Sequence, residues 1–253
     1  MRVTLAQISP KLSCDNIQAH LDIITEHKEQ SDVIVFPELS LHGYLLQDKV
    51  YENAYTLDDI EVLIQASKEV DIVVGMVHQD AKAIFNTALY LSQGKVGHIH
   101  HKNHLPNYGM FEEARYFFKG ESVDSFDTEY GDVMMLVCED LWRAEIIATV
   151  AEKKPKYLYV LANSPARDFS DEGLLIESQW LSILKTTALL SGTTVIFVNR
   201  TGFEDGLGFW GGSCVITPDS QTLAQCQLFK PEVLTLDLRS SLFDANRMIM
   251  KHG

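Results

Sequence analysis

Three side chains that could together cleave an amide each end a strand-like run of residues: Glu38, Lys102 and Cys138. A thiol attacks carbonyl carbon once a base removes its proton, and a partly desolvated carboxylate can be that base near neutral pH. An ammonium can stabilise the oxyanion that this attack creates. The runs that precede the three residues span 33–36, 96–101 and 133–137. Because reactive groups collect where strands end, the three can meet at one edge of a sheet.

Each of the three residues also has an ordinary structural interpretation when it is taken alone. Glu38 fits a solvated carboxylate or a helix cap, and Lys102 fits an exposed lysine. Cys138 fits a small buried apolar side chain, and the adjacent acids Glu139 and Asp140 would oppose its ionisation. A helix that began after the thiol would instead favour the thiolate and offer N–H groups to an oxyanion. The combination of carboxylate, ammonium and thiol therefore indicates chemistry, whereas none of them does so alone.

The elements that must position these residues alternate along the chain. Short β-branched runs predict strands, and apolar residues three or four positions apart predict helices. The predicted strands span 3–8, 33–36, 72–77, 83–91, 95–101, 133–137, 157–162, 194–198, 213–217, 223–228 and 233–238. The predicted helices follow a cap at Asp15, span 58–70 and 174–190, and begin near Arg143. A long polar and aromatic loop runs from Lys102 to about Gly120, and loops of this length are often functional.

This order of elements predicts an α/β fold in which two mixed sheets pack between helical layers. Hydrophobic residues make up 46% of the 253 residues, which is enough for one core. We therefore expect a single domain that spans residues 1–253.

The charge and the apolar segments exclude several classes of partner. The formal net charge of −14 argues against nucleic acid and against anionic membrane surfaces. No segment approaches the roughly 20 apolar residues of a membrane span, and the apolar run within the first ten residues is too short for a signal peptide. The four cysteines form no CxxC pair and no disulfide pattern. A soluble protein in the reducing cytoplasm is the expectation.

A metal site is the main rival interpretation, since four histidines lie within seven residues: His98, His100, His101 and His104. On a strand, His98 and His100 share one face while His101 points to the other. Cysteine or carboxylate partners at zinc spacing are missing nearby, so no metal is expected. A dyad of Cys138 with His104 is a second rival, but it leaves the carboxylate and the ammonium without a role.

Three segments of the sequence together resemble the motifs of the nitrilase, or carbon–nitrogen hydrolase, superfamily. They are Phe36–Tyr44, Lys102–Gly109 and Cys138–Trp142. Their order and spacing are most similar to the glutaminase domain of glutamine-dependent NAD synthetase. Further similarity at residues 163–165, 199–202 and 211–213 extends the resemblance over nearly the whole chain.

The resemblance implies a fold and a set of roles. It implies a four-layer α-β-β-α sandwich that pairs with a second copy, so a homodimer or larger homo-oligomer is expected. It also implies a Glu–Lys–Cys triad at Glu38, Lys102 and Cys138, with Glu113 as a second glutamate near the thiol. Substrate-binding residues are then expected at Tyr108, Glu139, Asn163 and Ser164. In this chemistry Lys102 and the backbone N–H of residue 139 stabilise the oxyanion, and no metal or organic cofactor is needed.

Several positions depart from the glutaminase pattern and weaken glutamine as the expected substrate. Residues 166–169 lack the expected basic pattern, and glycine and tryptophan replace acids within 204–213, a segment expected near the substrate pocket. The sequence ends at Gly253 without a Gly/Ser-rich pyrophosphate-binding loop, so NAD synthesis by this chain alone is not expected.

The sequence therefore predicts an amidase, an omega-amidase or an N-carbamoyl hydrolase that forms a thioester and releases ammonia or an amine from a small amide. Direct nitrile hydrolysis is less favoured. Two alternatives stay open: a glutaminase subunit that supplies ammonia to a separate NAD synthetase, and a non-catalytic scaffold member of the family.

Overall fold

The structure is a computed structural model that describes residues 1–12, 16–81, 83–171 and 173–238, and the predicted cap Asp15 lies outside these residues. Within them, the strands in chain order are β1 (Arg2–Gln7), β2 (Val33–Val35), β3 (Asp71–Gln79), β4 (Ile84–Ser92), β5 (Lys95–His101), β6 (Ser125–Thr128), β7 (Gly131–Val137), β8 (Tyr157–Ala162), β9 (Phe169–Ser170), β10 (Gly173–Leu174), β11 (Thr194–Asn199), β12 (Thr201–Glu204), β13 (Leu207–Trp210), β14 (Cys214–Ile216), β15 (Thr222–Gln225) and β16 (Glu232–Asp237). The α-helices are α1 (Ile17–His27), α2 (Val50–Asn53), α3 (Glu61–Ala66), α4 (Glu113–Tyr116), α5 (Ala144–Lys153) and α6 (Leu175–Ser191).

The strands form two mixed six-stranded sheets and two short hairpins. The first sheet has the order β16-β1-β2-β3-β4-β5, and the second has the order β15-β14-β11-β8-β7-β6. In each sheet the three strands joined by helical crossovers are parallel, namely β1-β2-β3 and β7-β8-β11, while the other neighbours are antiparallel. The hairpins are β9-β10 and β12-β13.

Strand alternation divides the apolar residues into layers. In β7, Met135 and Val137 belong to the cluster between the two sheets, whereas Met134 and Leu136 pack in the cluster that contains residues of α5 and α6. The corresponding outer cluster of the first sheet contains residues of α1 and α3. Because successive strand residues point to opposite faces, each central strand contributes to both an inner and an outer core. The predicted α-β-β-α sandwich is therefore confirmed.

The structure differs from the predicted elements where the sequence signal is weak. The predicted helix over 58–70 is a 3₁₀ turn (Asp58–Ile60) followed by the shorter α3. It ends where the Ser67 hydroxyl donates to the Ile64 carbonyl at 2.7 Å and competes with further helical pairing. The short strands β6, β12 and β13 were not predicted, because each has only four residues and contains a glycine or an acid. Among the described residues, no helix is both long and apolar enough to cross a membrane.

Candidate active site

The turn after β2 carries Glu38 into the interior, where it is 1% exposed. This turn crosses Gly75 of β3 so closely that a Cβ atom on residue 75 would lie 2.5 Å from both Leu39 N and Pro37 O. Only glycine at this position allows the approach. A residue on a neighbouring strand thus determines where the carboxylate can lie.

The end of β5 places Lys102 in the same interior, where its side chain has no exposure. Its backbone N–H donates to the Asn86 carbonyl of β4 at 2.8 Å, which extends the strand pairing by one residue. Its carbonyl accepts the N–H of Gly120 at 2.8 Å, so both ends of the long loop are tied together. The ammonium is therefore held by backbone pairing on both sides.

The Lys102 ammonium lies between two carboxylates. Its Nζ is 2.7 Å from Glu38 Oε1 and 2.8 Å from Glu113 Oε1. Asn86 Nδ2 also donates to Glu38 Oε1 at 2.7 Å, and the backbone N–H of Asn163 donates to Glu38 Oε2 at 2.7 Å. The Tyr44 hydroxyl donates to Glu113 Oε1 at 2.7 Å. Asn86 was not predicted from the sequence, and its only signal is that a polar residue occupies a buried position of β4.

Burial and the neighbouring charges change the proton affinities of this group. Burial disfavours the charged lysine, but Glu113 and Glu38 hold the pKa of Lys102 well above its usual value. Burial also raises the pKa of Glu113 from 4.5 to about 7, even though Lys102 acts in the opposite direction. Two carboxylates share one ammonium here, so Glu113 can change its protonation state near neutral pH.

Cys138 follows β7 directly and opens a 3₁₀ turn (Cys138–Trp142) with a positive φ of 45°. Burial and the nearby Glu38 raise the pKa of the Cys138 thiol well above its usual value, while Lys102 and the backbone N–H of Asn163 lower it. The resting thiol is therefore neutral. This differs from the expectation that a following helix stabilises the thiolate, since α5 begins only at Ala144. A base must accept the thiol proton before attack, and Glu38 is the carboxylate whose charge acts most strongly on this thiol.

A narrow pocket opens onto the thiol and leaves about 370 Å³ free of atoms, including its mouth. All four residues predicted to bind substrate line it, together with Glu113 and Cys138: Tyr108, Glu139, Asn163 and Ser164. Its apolar wall includes Phe111, Trp142 and Trp180. The structure therefore brings six of the eight predicted site residues together around one small opening, while Glu38 and Lys102 are buried and are not among the described residues that line it.

The pocket residues differ in how many of their polar atoms are already paired. Glu139 is occupied, because Tyr108 donates to its Oε2 at 2.9 Å and Arg143 to its Oε1 at 2.6 Å. Ser164 Oγ accepts the indole N–H of Trp180 at 2.9 Å. The two side-chain amide atoms of Asn163 are buried without a hydrogen-bond partner. The Asn163 amide is therefore more available to a substrate than Glu139 or Ser164.

Two segments that depart from the glutaminase pattern have different relations to the pocket. Arg167 lines it directly. The hairpin β12-β13 instead contacts Tyr44, which lines the pocket. Glu204 Oε1 accepts the Tyr44 N–H at 2.8 Å, and the centre of the Phe209 ring lies 6.3 Å from that of the Tyr44 ring. Residues 204–213 are not among the described residues that line this pocket, so their expected proximity to the substrate is indirect.

The histidine cluster does not form a metal site among the described residues. His100 Nε2 and His104 Nδ1 instead contact the two oxygens of Asp140, at 2.9 and 3.3 Å. The other nitrogen of His104 lies 3.4 Å from Glu145 Oε1. Because both nitrogens of His104 face carboxylates, the geometry does not favour a dyad of His104 with the thiol.

Comparison with known proteins agrees with this geometry. Residues 2–247 match the family described as carbon-nitrogen hydrolase. The glutamine-dependent NAD(+) synthetase of Thermotoga maritima is 28% identical over 265 aligned positions. The aligned region covers 99% of this chain and 45% of that protein. The chain thus spans less than half the length of this relative. The resemblance inferred from the three motifs is confirmed.

Solved structures of related proteins superpose closely. Glutamine-dependent NAD+ synthetase from Acinetobacter baumannii matches with a TM-score of 0.84 and 27% identity, covering 92% of this chain and 44% of that one. An amidase from Nesterenkonia sp. matches with a TM-score of 0.81 and 23% identity, covering 100% and 95%. The latter likeness is one of fold. Since the family match extends over residues 2–247 of the 253, the chain belongs to the carbon–nitrogen hydrolase family.

Proposed function

We propose that this protein hydrolyses the carbon–nitrogen bond of a small linear amide through a thioester on Cys138. The observation that carries the proposal is the buried group at the thiol: an ammonium 2.7 and 2.8 Å from two carboxylates, beside a neutral thiol. A neutral thiol needs a base, and an oxyanion needs a fixed positive charge. Glu38 and Lys102 supply these two functions.

In the acylation step, Glu38 accepts the thiol proton while Cys138 Sγ bonds to the amide carbon. Lys102 and the backbone N–H of Glu139 stabilise the tetrahedral oxyanion. When the carbon–nitrogen bond breaks, the proton on Glu38 passes to the leaving nitrogen, and ammonia or an amine departs. Water that Glu38 deprotonates then attacks the thioester and releases the acid and the thiol. Glu113 holds Lys102, and its buried, unpartnered Oε2 is available to a substrate N–H.

The dimensions of the pocket favour a small acyl group. Its apolar wall suits a short carbon chain, while the unpartnered amide of Asn163 offers one donor group and one acceptor. These features support amidase, omega-amidase or N-carbamoyl hydrolase chemistry. The need for a reduced thiol fits the cytoplasm as the site of action.

The test is a panel of ω-amides, N-carbamoyl compounds and small nitriles, with ammonia release and intact mass recorded for the wild type and for Cys138→Ala. We expect ammonia from at least one amide and no release by the variant. An acyl adduct on Cys138 without turnover would indicate transfer to another acceptor. If the panel yields neither ammonia nor adduct, the result favours the non-catalytic family member or a subunit that a partner protein activates over a free-standing amidase.

A second candidate is a glutaminase subunit that supplies ammonia to a separate NAD synthetase. The similarity to glutamine-dependent NAD(+) synthetases, over less than half of their length, favours it. Glutamine hydrolysis that accelerates only when a synthetase is added would support this alternative over a free-standing amidase.

A further inference from the structure

Asp140 is a fully buried carboxylate two residues after the candidate nucleophile. Five nitrogen donors lie within hydrogen-bonding distance of its two oxygens. They are the backbone N–H groups of Val137 (3.1 Å), Asn103 (3.0 Å) and His104 (2.9 Å), with the ring nitrogens His100 Nε2 (2.9 Å) and His104 Nδ1 (3.3 Å). These donors, the two histidine rings above all, hold the pKa of Asp140 well below its usual range against the effect of burial. The carboxylate therefore remains an acceptor for all five donors.

The donors come from two segments that belong to different sheets. Asn103 and His104 directly follow Lys102 at the end of β5, in the first sheet. Val137 is the last residue of β7, in the second sheet, and directly precedes Cys138. No backbone ladder joins β5 to β7. The Asp140 carboxylate thus joins the chain after the ammonium to the chain before the thiol.

The conformation of Cys138 makes this connection relevant to chemistry. A φ of 45° is uncommon for a residue with a side chain, and surrounding contacts must maintain it. Asp140 Oδ2 holds the N–H of Val137 immediately before this turn, while Oδ1 holds the loop immediately after Lys102. Any relaxation of these bonds moves the thiol and the ammonium relative to each other.

We propose that Asp140 is a positioning residue, whose carboxylate, oriented by His100 and His104, fixes the Cys138 thiol relative to the Lys102 ammonium. This inference rests on the amide hydrolysis proposed above. It also gives the histidine cluster a role other than metal binding. Asp140 itself does not contact the reacting atoms, so its loss affects the rate of acylation more than the binding of substrate.

The principal variant is Asp140→Asn, which keeps the shape of the side chain but replaces one acceptor oxygen with an N–H₂ group. We expect kcat to fall on the order of 100-fold, since a misplacement of about 1 Å can have that effect, while KM changes by less than about threefold. The matched control is Asp71→Asn. Asp71 is also a buried carboxylate, and it accepts a hydrogen bond of 2.5 Å from the Tyr90 hydroxyl, outside the candidate active site. The control should lose stability without losing kcat.

A second pair of variants covers the case in which Asp140→Asn does not fold. His100→Ala removes the donor to Asp140 Oδ2 and should lower kcat, whereas His100→Gln keeps a donor and should restore much of it. A merely structural role predicts equal kcat for the two variants once both are folded. Thermal unfolding and circular dichroism identify the folded preparations.

Alkylation of Cys138 by iodoacetamide, located by peptide mass mapping, separates this inference from the proposed function. Geometry that activates the thiol should make the wild type react faster than Asp140→Asn even if no amide in the panel is a substrate. The inference is wrong if the folded variant matches the wild type in alkylation rate, or retains kcat within about threefold. An absence of amide turnover in the wild type contradicts the proposed function alone.

Discussion

At the residue scale, the defining feature is a single buried ammonium shared by two carboxylates. A lysine without exposure would ordinarily lose its charge, but Glu38 and Glu113 lie close enough to keep it protonated. The same arrangement makes Glu113 sensitive to pH near neutrality. Charge balance within this group therefore governs both stability and chemistry.

Removing the ammonium should be strongly destabilising. Lys102→Met leaves two adjacent buried carboxylates without their cation, so we expect a loss of about 3–5 kcal/mol in the free energy of unfolding, measured in urea. The double variant Lys102→Met with Glu113→Gln should regain part of this lost stability, because it removes one of the two buried carboxylates that no longer have a cation. A matched surface substitution, Lys153→Met, removes an exposed pair with Asp124 and should change stability little. Equal losses for the two single lysine variants would contradict this account.

The pKa of Glu113, raised from 4.5 to about 7, gives a pH dependence with a defined sign. The folded protein binds this proton more tightly than the unfolded chain, so the wild type loses stability as pH rises through about 7. Protonation below that pH also removes the Glu113 carboxylate that holds Lys102 and that is proposed to accept the substrate N–H, so kcat/KM should fall on the acid side. Glu113→Gln should flatten the pH dependence of both the unfolding free energy and kcat/KM near pH 7.

The check is urea unfolding and amide hydrolysis from pH 5.5 to pH 8.5, a window that spans about 1.5 pH units on each side of the Glu113 pKa. If Glu113→Gln kept the wild-type fall of kcat/KM at acid pH, Glu113 would be excluded as the group that causes this fall.

At the element scale, the ends of β2, β5 and β7 deliver the three reactive groups, and the sequence predicted this much. Glu38 and Cys138 come after runs of buried residues in β2 and β7, and Lys102 follows the mostly half-exposed β5, so each reactive group follows a strand pattern that a single sequence can reveal. Asn86 and Asp140 were not predicted as partners, because their hydrogen bonds join residues 48 and 37 positions apart in the chain. Sequence spacing carries no information about such pairs. The neutral state of Cys138 also depends on burial and on charges that only the folded arrangement brings near.

Gly75 offers a test of how an element positions a reactive group. Gly75→Ala would place Cβ at 2.5 Å from the backbone that flanks Glu38, so the turn must shift. We expect a loss of about 1–3 kcal/mol in unfolding free energy and a larger proportional loss of kcat. Gly97→Ala on β5 is the control, since its nearest contact would be 3.3 Å from the Tyr90 ring. An active Gly75→Ala enzyme would show that the approach is not required.

The loop after β8 should influence which acyl groups are accepted. Arg167 carries the positive charge among the described residues that line the pocket, and Glu139 is already paired with Arg143. Arg167→Gln should therefore raise KM about tenfold for amides whose acyl chain ends in a carboxylate, since charge-assisted contacts are lost. Neutral amides of equal length, such as butyramide against succinamate, should be unaffected. Equal changes for both substrates would remove Arg167 from substrate recognition.

At the scale of the whole molecule, the outer helical layers are unequal in apolar exposure. On α6, Leu189 and Leu190 are 48% and 58% exposed, and Leu175 is 47% exposed. Leu175 begins α6 and the other two leucines lie in its last turn, and exposed apolar side chains along one helix are typical of an interface. Pairing through this layer would bring two sandwiches together as α-β-β-α-α-β-β-α, the arrangement that the family resemblance implies.

We therefore predict a homodimer through the α6 face, with dissociation promoted by Leu190→Glu. At a symmetric interface both copies of the new carboxylate would lose their hydration, which is unfavourable. The control is Val62→Glu on α3, because Val62 is 52% exposed on the opposite helical layer. Sedimentation velocity over a range of concentrations should give dimers for the wild type and the control, and monomers for Leu190→Glu. If Val62→Glu dissociates the dimer instead, the interface lies on the α1–α3 layer and the exposed leucines of α6 serve another contact.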